Sequence, residues 1–178
     1  MPKVGIFFGT DTGNTRKVAK SIAKYIGESI ADKPVNIKNA EVEDLLAYDV
    51  LILGTPTYGE GELPGLTSGT QTESWEEFLP TLQGADFSGK TIALYGLGDQ
   101  VGYPGNFVDA LGMLYDAFCD CGATVIGLTS SEGYTFTHSK GLIDDTRFAG
   151  LVLDEDNQKE LTDARLQAWL EQIEVSWA

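Results

Sequence analysis

The sequence predicts a doubly wound α/β domain, in which a parallel sheet is covered on both faces by helices. Three observations predict it. Short continuous apolar runs, which suit strands buried on both faces, alternate with amphipathic helical patterns along the chain. Gly-rich loops at 9–15, 56–64 and 97–103 follow the first, third and fourth of those strands, and so open on the sheet edge where such folds bind ligands. The length of 178 residues, with 42% hydrophobic content, suffices for one core and is short for two, so residues 1–178 are expected to form a single domain.

Val4 to Phe8 is uninterrupted apolar sequence and is expected at the centre of the sheet. The stretch Gly9-Thr10-Asp11-Thr12-Gly13-Asn14-Thr15 then joins it to a helical pattern starting at Lys17. Gly and hydroxyl residues where a strand hands over to a helix let backbone N–H groups, Thr hydroxyls and the helix dipole converge on one anion. The loop has no Lys or Arg, so the Walker loop is absent, and so is the G-x-G-x-x-G spacing. A single monoester phosphate remains as the ligand. The same two glycines also suit a tight connection that binds nothing.

In the first helix Val18, Ile22, Tyr25 and Ile26 share one side, Arg16, Lys17, Lys20 and Lys24 the other, and Gly27 stands near the end. Pro34 to Asn39 alternates, as an edge strand does, and Val42 to Tyr48 suits a short helix. Asp49 to Thr55 is a second fully apolar strand; the loop after it, Pro56 to Pro64, is too rich in Gly and Pro for regular structure. Ser74 and Glu77 have capping-box spacing at the head of a helix with Trp75, Phe78, Leu79 and Leu82 inward. Thr91 to Gly96 is the next strand, followed by a helix whose Phe107, Ala110, Leu111, Leu114, Phe118 and Cys121 form one apolar stripe. Thr124 to Leu128 reads as a fifth strand, and the last helix brings Leu166, Trp169, Leu170 and Ile173 to the core.

A net charge of −15, from 27 acidic and 12 basic residues, argues against nucleic acid and anionic membrane surfaces and favours a basic partner. No apolar run approaches a membrane span and no signal-peptide pattern precedes the first strand, which points to the cytoplasm. Cys119 and Cys121, two apart on a helix, diverge and are expected to be reduced thiols. The one histidine, His138, has no Ser, Cys or Asp constellation about it, and no metal-ligand spacing occurs, so neither catalytic residues nor a metal are expected.

The segments Thr10 to Thr15, Thr55-Pro56-Thr57-Tyr58-Gly59 and Gly98-Asp99-Gln100-Val101-Gly102-Tyr103 resemble the three FMN loops of the flavodoxins, and Leu153 to Gln158 with the helix after it extends the likeness over essentially the whole chain. The interval Ser130 to Gly150 interrupts the fifth strand, which Leu151 to Leu153 resumes; this resembles the long-chain subclass.

The resemblance implies a five-stranded parallel sheet of order 2-1-3-4-5 with an insertion in the last strand, and bound FMN. It implies that Thr10, Asp11, Thr12, Gly13, Asn14 and Thr15 wrap the phosphate, with the Asp11 side chain outward. Tyr58, at a position where the family often has Trp, and Tyr103 sandwich the ring, with Thr55, Pro56, Thr57 and Gly59 in the inner loop. Backbone groups of Leu97, Gly98 and Asp99, together with Asn106 and Val108, meet the pyrimidine edge, and Asp156 the ribityl chain. On reduction the Gly59 carbonyl is expected to turn toward N5 of a neutral semiquinone.

The implied function is a low-potential one-electron carrier, not an enzyme, working between semiquinone and hydroquinone. The stretches 59–66 and 72–79 resemble flavodoxins that feed nitrogenase, so its iron protein is the expected acceptor, with an upstream reductase as donor and a monomeric carrier between them. Alternatives are a housekeeping flavodoxin for other reductive pathways, an FMN-dependent quinone reductase, or a phospho-acceptor domain of similar topology. The last needs a carboxylate at the end of the third strand, where Thr55 stands.

Overall fold

A computed structural model describes residues 3–9 and 13–178. β1 (Val4–Phe8) is buried at every residue and is flanked on both sides, because an all-apolar strand has no face to give to water. It pairs in parallel with β2 (Val35–Asn36) and, in the register Val4 opposite Val50, with β3 (Val50–Pro56). β3 in turn pairs with β4 (Thr91–Leu97) along its whole length. The far edge of β4 is shared: its first half takes β5 (Thr124–Ile126), and its second half takes Leu151–Leu153. The order β2-β1-β3-β4-β5 is the one the resemblance implied.

Two apolar layers cover the sheet. On one face α1 (Asn14–Ile26) and the C-terminal helix (Thr162–Ile173) bury Val18, Ile22, Trp169 and Leu170. On the other, α2 (Val42–Leu46), α3 (Trp75–Phe78) and α4 (Asp109–Asp120) bury Leu45, Trp75, Leu111, Leu114 and Phe118. Ser74 heads α3 as its spacing predicts, its N–H donating to Glu77 Oε1 at 2.8 Å. α3 tightens into a 3₁₀ turn after four residues, with Pro80 at its start. Cys119 and Cys121 are free thiols, half-buried, and burial pushes both above the ordinary thiol value. Among the described residues no helix is long and apolar enough to cross a membrane.

Three boundaries differ from expectation, each for a local reason. α1 starts at Asn14, three residues before Lys17, because Gly13 takes a left-handed conformation (φ 95°) and lets the helix begin at once. The edge strand predicted for Pro34 to Asn39 keeps two residues: Asn36 Oδ1 accepts the Lys38 N–H at 3.1 Å and turns Ile37–Asn39 into a 3₁₀ turn. The fifth strand stops at Ile126 rather than Leu128, since Gly127 has φ 81° and its carbonyl accepts the Trp169 indole N–H at 2.9 Å.

The chain then leaves the sheet for 24 residues, 127–150, within which β6 (Thr129–Ser130) pairs antiparallel with β7 (Arg147–Phe148). It returns as β8 (Leu151–Leu153), so the expected interruption and resumption are both present. The C-terminal helix is α5. The insertion packs onto α4 at Gly112, where an added Cβ would stand 2.0 Å from the Lys140 carbonyl oxygen. Helix propensity alone favours Gly→Ala by about 1 kcal/mol. Overpacking against backbone costs about 1–3 kcal/mol, and here the obstructing atom cannot rotate away. We therefore expect Gly112→Ala to lower the urea midpoint, by a net loss of about 1–2 kcal/mol. An unchanged or raised midpoint would show that the insertion gives way at no cost.

Candidate functional site

The carboxyl ends of β1, β3, β4 and β8 open into one cleft of about 360 Å³. Each wall is placed by a strand end. α1 contributes Asn14 and Thr15; the turn after β3 contributes Pro56, Thr57 and Tyr58; the end of β4 contributes Leu97, Gly98 and Asp99. Tyr103, Asn106 and Val108 close one side and Asp156 another. Residues from three loops that the sequence set apart thus share one cavity.

Buried hydrogen bonds fix these walls. The Tyr95 hydroxyl, fully buried in β4, donates to the Thr15 carbonyl at 2.9 Å and anchors the first turn of α1 across the sheet. The Trp75 indole N–H donates to the Gly54 carbonyl at 2.8 Å, which also accepts the Gly9 N–H at 3.0 Å. Thr57 receives the Ala110 N–H on its hydroxyl at 3.2 Å and gives its own N–H to Leu97 O at 3.1 Å. The Thr15 hydroxyl stands apart from this pattern: it is buried, lines the cleft, and finds no hydrogen-bond partner among the described residues.

Some expected residues lie elsewhere. Thr10, Asp11 and Thr12 lie outside the described residues. Gly13 precedes the cleft wall as the residue before α1. Thr55 is buried and turns its hydroxyl onto the Pro56 carbonyl at 2.8 Å, so it supports the wall without facing the cavity. Gly59 lies just beyond it, exposed and left-handed at φ 49°, in a turn closed by two bonds between Tyr58 and Glu62 of 2.8 and 2.7 Å. Any side chain other than hydrogen there pays the left-handed penalty.

The sequence reading missed three participants. Phe107, read only as core, is 1% exposed yet floors the cleft, and Glu155 also lines it. Asp154, wholly buried, accepts from Gln100 N (3.1 Å), Gln100 Nε2 (2.7 Å), Asp156 N (3.1 Å), Asn157 N (3.0 Å) and Asn157 Nδ2 (2.9 Å). The signal for it was present: an Asp after an apolar strand, with N–H groups two and three residues on, is turn chemistry.

Tyr58 is half-buried and Tyr103 half-exposed, so one aromatic face lies within the cleft and one at its mouth. Glu60 and Glu62 are exposed beside Tyr58. Glu77 is engaged inward, accepting Leu66 N at 3.1 Å and Ser74 N. Carboxylate oxygens of Asp99, Asp154 and Asp156 lie within 4.8 Å of one another, which concentrates negative charge at this end.

The chain matches the protein-family model described as Flavodoxin over residues 6–169. It is 56% identical to a flavodoxin of Klebsiella pneumoniae over 173 residues, covering 97% of each chain. It is 47% identical to Flavodoxin 1 of Escherichia coli strain K12 over 175 residues, covering 97% of this chain and 93% of that one. Among solved structures it resembles the Fusobacterium nucleatum flavodoxin bound to flavin mononucleotide, at 32% identity and a TM-score of 0.85 over the whole of both chains.

The acids at this end titrate in opposite directions. Asp99 is held below its ordinary value, first by the Gly102 N–H and then by the Asn157 amide, so its contribution to stability is lost as pH falls through that lowered value. Asp156 is held above its ordinary value by burial first, then by the charges of Asp99 and Asp154. The folded protein therefore binds that proton more readily than the unfolded chain, and ionised Asp156 weakens the fold at neutral pH. We expect Asp156→Asn to raise the thermal midpoint of the ligand-free protein at pH 7, with the gain vanishing near about pH 3, below the ordinary carboxylate value. Melting curves across that range check it; a gain that persists in acid would assign the effect to something other than charge.

Proposed function

The chain belongs to the flavodoxin family, and from that premise we propose that its cleft holds FMN and that the protein is a one-electron carrier rather than an enzyme. One observation of this chain carries the fit. The Thr15 hydroxyl, buried and unpartnered among the described residues at the start of α1, is an orphan donor of the kind that a buried anion satisfies. The cleft continues from it to the two tyrosines.

When bound, the flavin supplies reversible one-electron chemistry. The chain's own residues do the rest. Thr15 and the first amides of α1 would hold the phosphate without a cation, by charge-assisted donation. Tyr58 and Tyr103 would offer flat faces that exclude water from the ring. Backbone groups of Leu97, Gly98 and Asp99, with Asn106 and Val108, would border the pyrimidine edge, and Asp156 the ribityl chain. The three clustered carboxylates and the net charge of −15 oppose any further negative charge in the cleft, which makes the carrier a strong reductant.

The finer reading is that the chain works as a single-domain monomer in the cytoplasm, takes electrons from an upstream reductase, and delivers them to partners with basic docking surfaces. The stretches 59–66 and 72–79 favour the iron protein of nitrogenase as acceptor. The exposure of Glu60 and Glu62 beside Tyr58 supports docking to such a surface.

Two outcomes test this. Purified protein should be yellow with FMN, and Thr15→Ala should weaken FMN about 10- to 100-fold, the worth of one hydrogen bond to a charged group, while leaving riboflavin unchanged. Equal losses for both flavins, measured by fluorescence titration, would remove Thr15 from the phosphate site. In stopped-flow oxidation of the reduced carrier by the nitrogenase iron protein, added salt and Glu62→Lys should each slow transfer several-fold. Rates indifferent to both would take Glu62 and its neighbouring charge out of docking.

A further inference from the structure

Val108 is the only described non-glycine residue with a left-handed backbone, at φ 48° and ψ 35°. A β-branched residue disfavours that conformation, so it persists only where its surroundings over-determine it. Here the surroundings are the insertion. The Phe107 N–H donates to the His138 carbonyl at 3.2 Å, and the Phe107 carbonyl accepts a short bond from the Ser139 hydroxyl. That hydroxyl in turn accepts the Gly141 N–H at 2.9 Å. On the other side of Val108, Asp109 Oδ1 accepts the Lys140 N–H at 2.7 Å. Ser139 and Asp109 are 7% and 4% exposed. Tyr134, Phe136 and Phe148 of the same insertion pack on the Phe107 ring at centroid distances of 5.9, 5.3 and 6.1 Å.

Both neighbours of Val108 are thus held by four consecutive residues, 138–141, that enter the fold only because the fifth strand is interrupted. Val108 itself lines the cleft. We propose that segment 138–141 is a strut, with Ser139 and Asp109 as positioning residues, that holds Val108 left-handed and thereby sets the edge of the cleft against which the flavin ring lies. This rests on the FMN reading above. The strut acts on the ring edge and not on the phosphate, so its loss should affect FMN and riboflavin alike, unlike loss of Thr15. Glycine at 108 adopts the left-handed conformation without penalty, so it should make the strut dispensable.

The experiment has an arm that needs no flavin. In ligand-free protein, the Val108 Hα–HN coupling and Cα shift should leave left-handed values in Ser139→Ala, and amide exchange at 107–109 should speed up. Values unchanged in a variant that melts as a cooperative fold would overturn the strut whatever the cleft binds. Asp109→Ala, which removes the acceptor of the other tie, should act in the same direction. In the second arm, Ser139→Ala should weaken riboflavin and FMN by the same factor, about tenfold, which is one left-handed penalty. Val108→Gly in that background should recover most of it for both flavins. A loss confined to FMN, no loss, or no recovery by glycine would overturn the assignment. Wild-type protein that binds neither flavin would overturn the functional reading, and the first arm would still decide the strut.

Discussion

The end of the molecule that carries the cleft depends on one buried carboxylate. An ionised Asp taken fully out of water loses several kcal/mol of solvation unless its oxygens are met by donors. Asp154 is met by five donor groups, from Gln100, Asp156 and Asn157, and so it can exist only where the 99–103 and 154–158 segments are brought together. Those segments leave neighbouring strands, β4 and β8, whose pairing from Tyr95–Leu151 to Leu97–Leu153 delivers them side by side. Asn157 also reaches Asp99 at 2.8 Å, and Gln100 Oε1 accepts the Thr135 N–H of the insertion at 2.7 Å. One desolvated charge thereby couples the loop bearing Tyr103, the loop bearing Asp156, and the insertion.

The interior of the fold was legible because burial on both faces leaves only one kind of sequence. Val4 to Phe8, Asp49 to Thr55 and Thr91 to Gly96 are continuous apolar runs, and all three became central strands within a residue or two. Edges carry a weaker signal, since there side chains compete with the ladder. Asn36 caps a turn where alternation promised three more residues of strand, and Gly127 ends the fifth strand by taking a conformation no pattern of hydrophobicity encodes. The resumption at Leu151 was readable because the apolar run reappears with the right length to complete the edge of β4.

The cleft was legible as loops and less so as atoms. Tyr58, Asp99, Tyr103 and Asp156 converge because parallel connections put every strand's carboxyl end on one edge. What a hydroxyl meets is a rotamer question that sequence does not pose: Thr55 and Thr15 sit in similar motifs, yet one bonds its own neighbour's carbonyl and the other finds no partner among the described residues. Glu77 was readable by contrast, because its spacing to Ser74 marks the cap it forms. Phe107 belonged to an apolar stripe and was read as core; it is core, and its other edge floors the cleft.

Charge adds an order that neither the strands nor the loops reveal singly. Seven of the 12 basic residues fall in the first 40 positions, and α1 exposes Arg16, Lys17, Lys20 and Lys24, whereas 24 of the 27 acids come later. Three of the four chain segments around the cleft belong to the acidic part. Asp99, Asp154 and Asp156 nonetheless concentrate negative charge at the cleft end, and that field acts before contact, over roughly a Debye length of 8–10 Å at moderate salt. An encounter oriented by such a field needs little apolar interface, so it can end quickly, as a carrier requires. The same carboxylates lie close enough to one another to hold the Asp156 proton above its ordinary value. A group that resists its own ionisation marks a place where any added negative charge is opposed. On the function proposed, docking and reducing strength would draw on the same carboxylates, and a substitution that weakens one should be expected to alter the other.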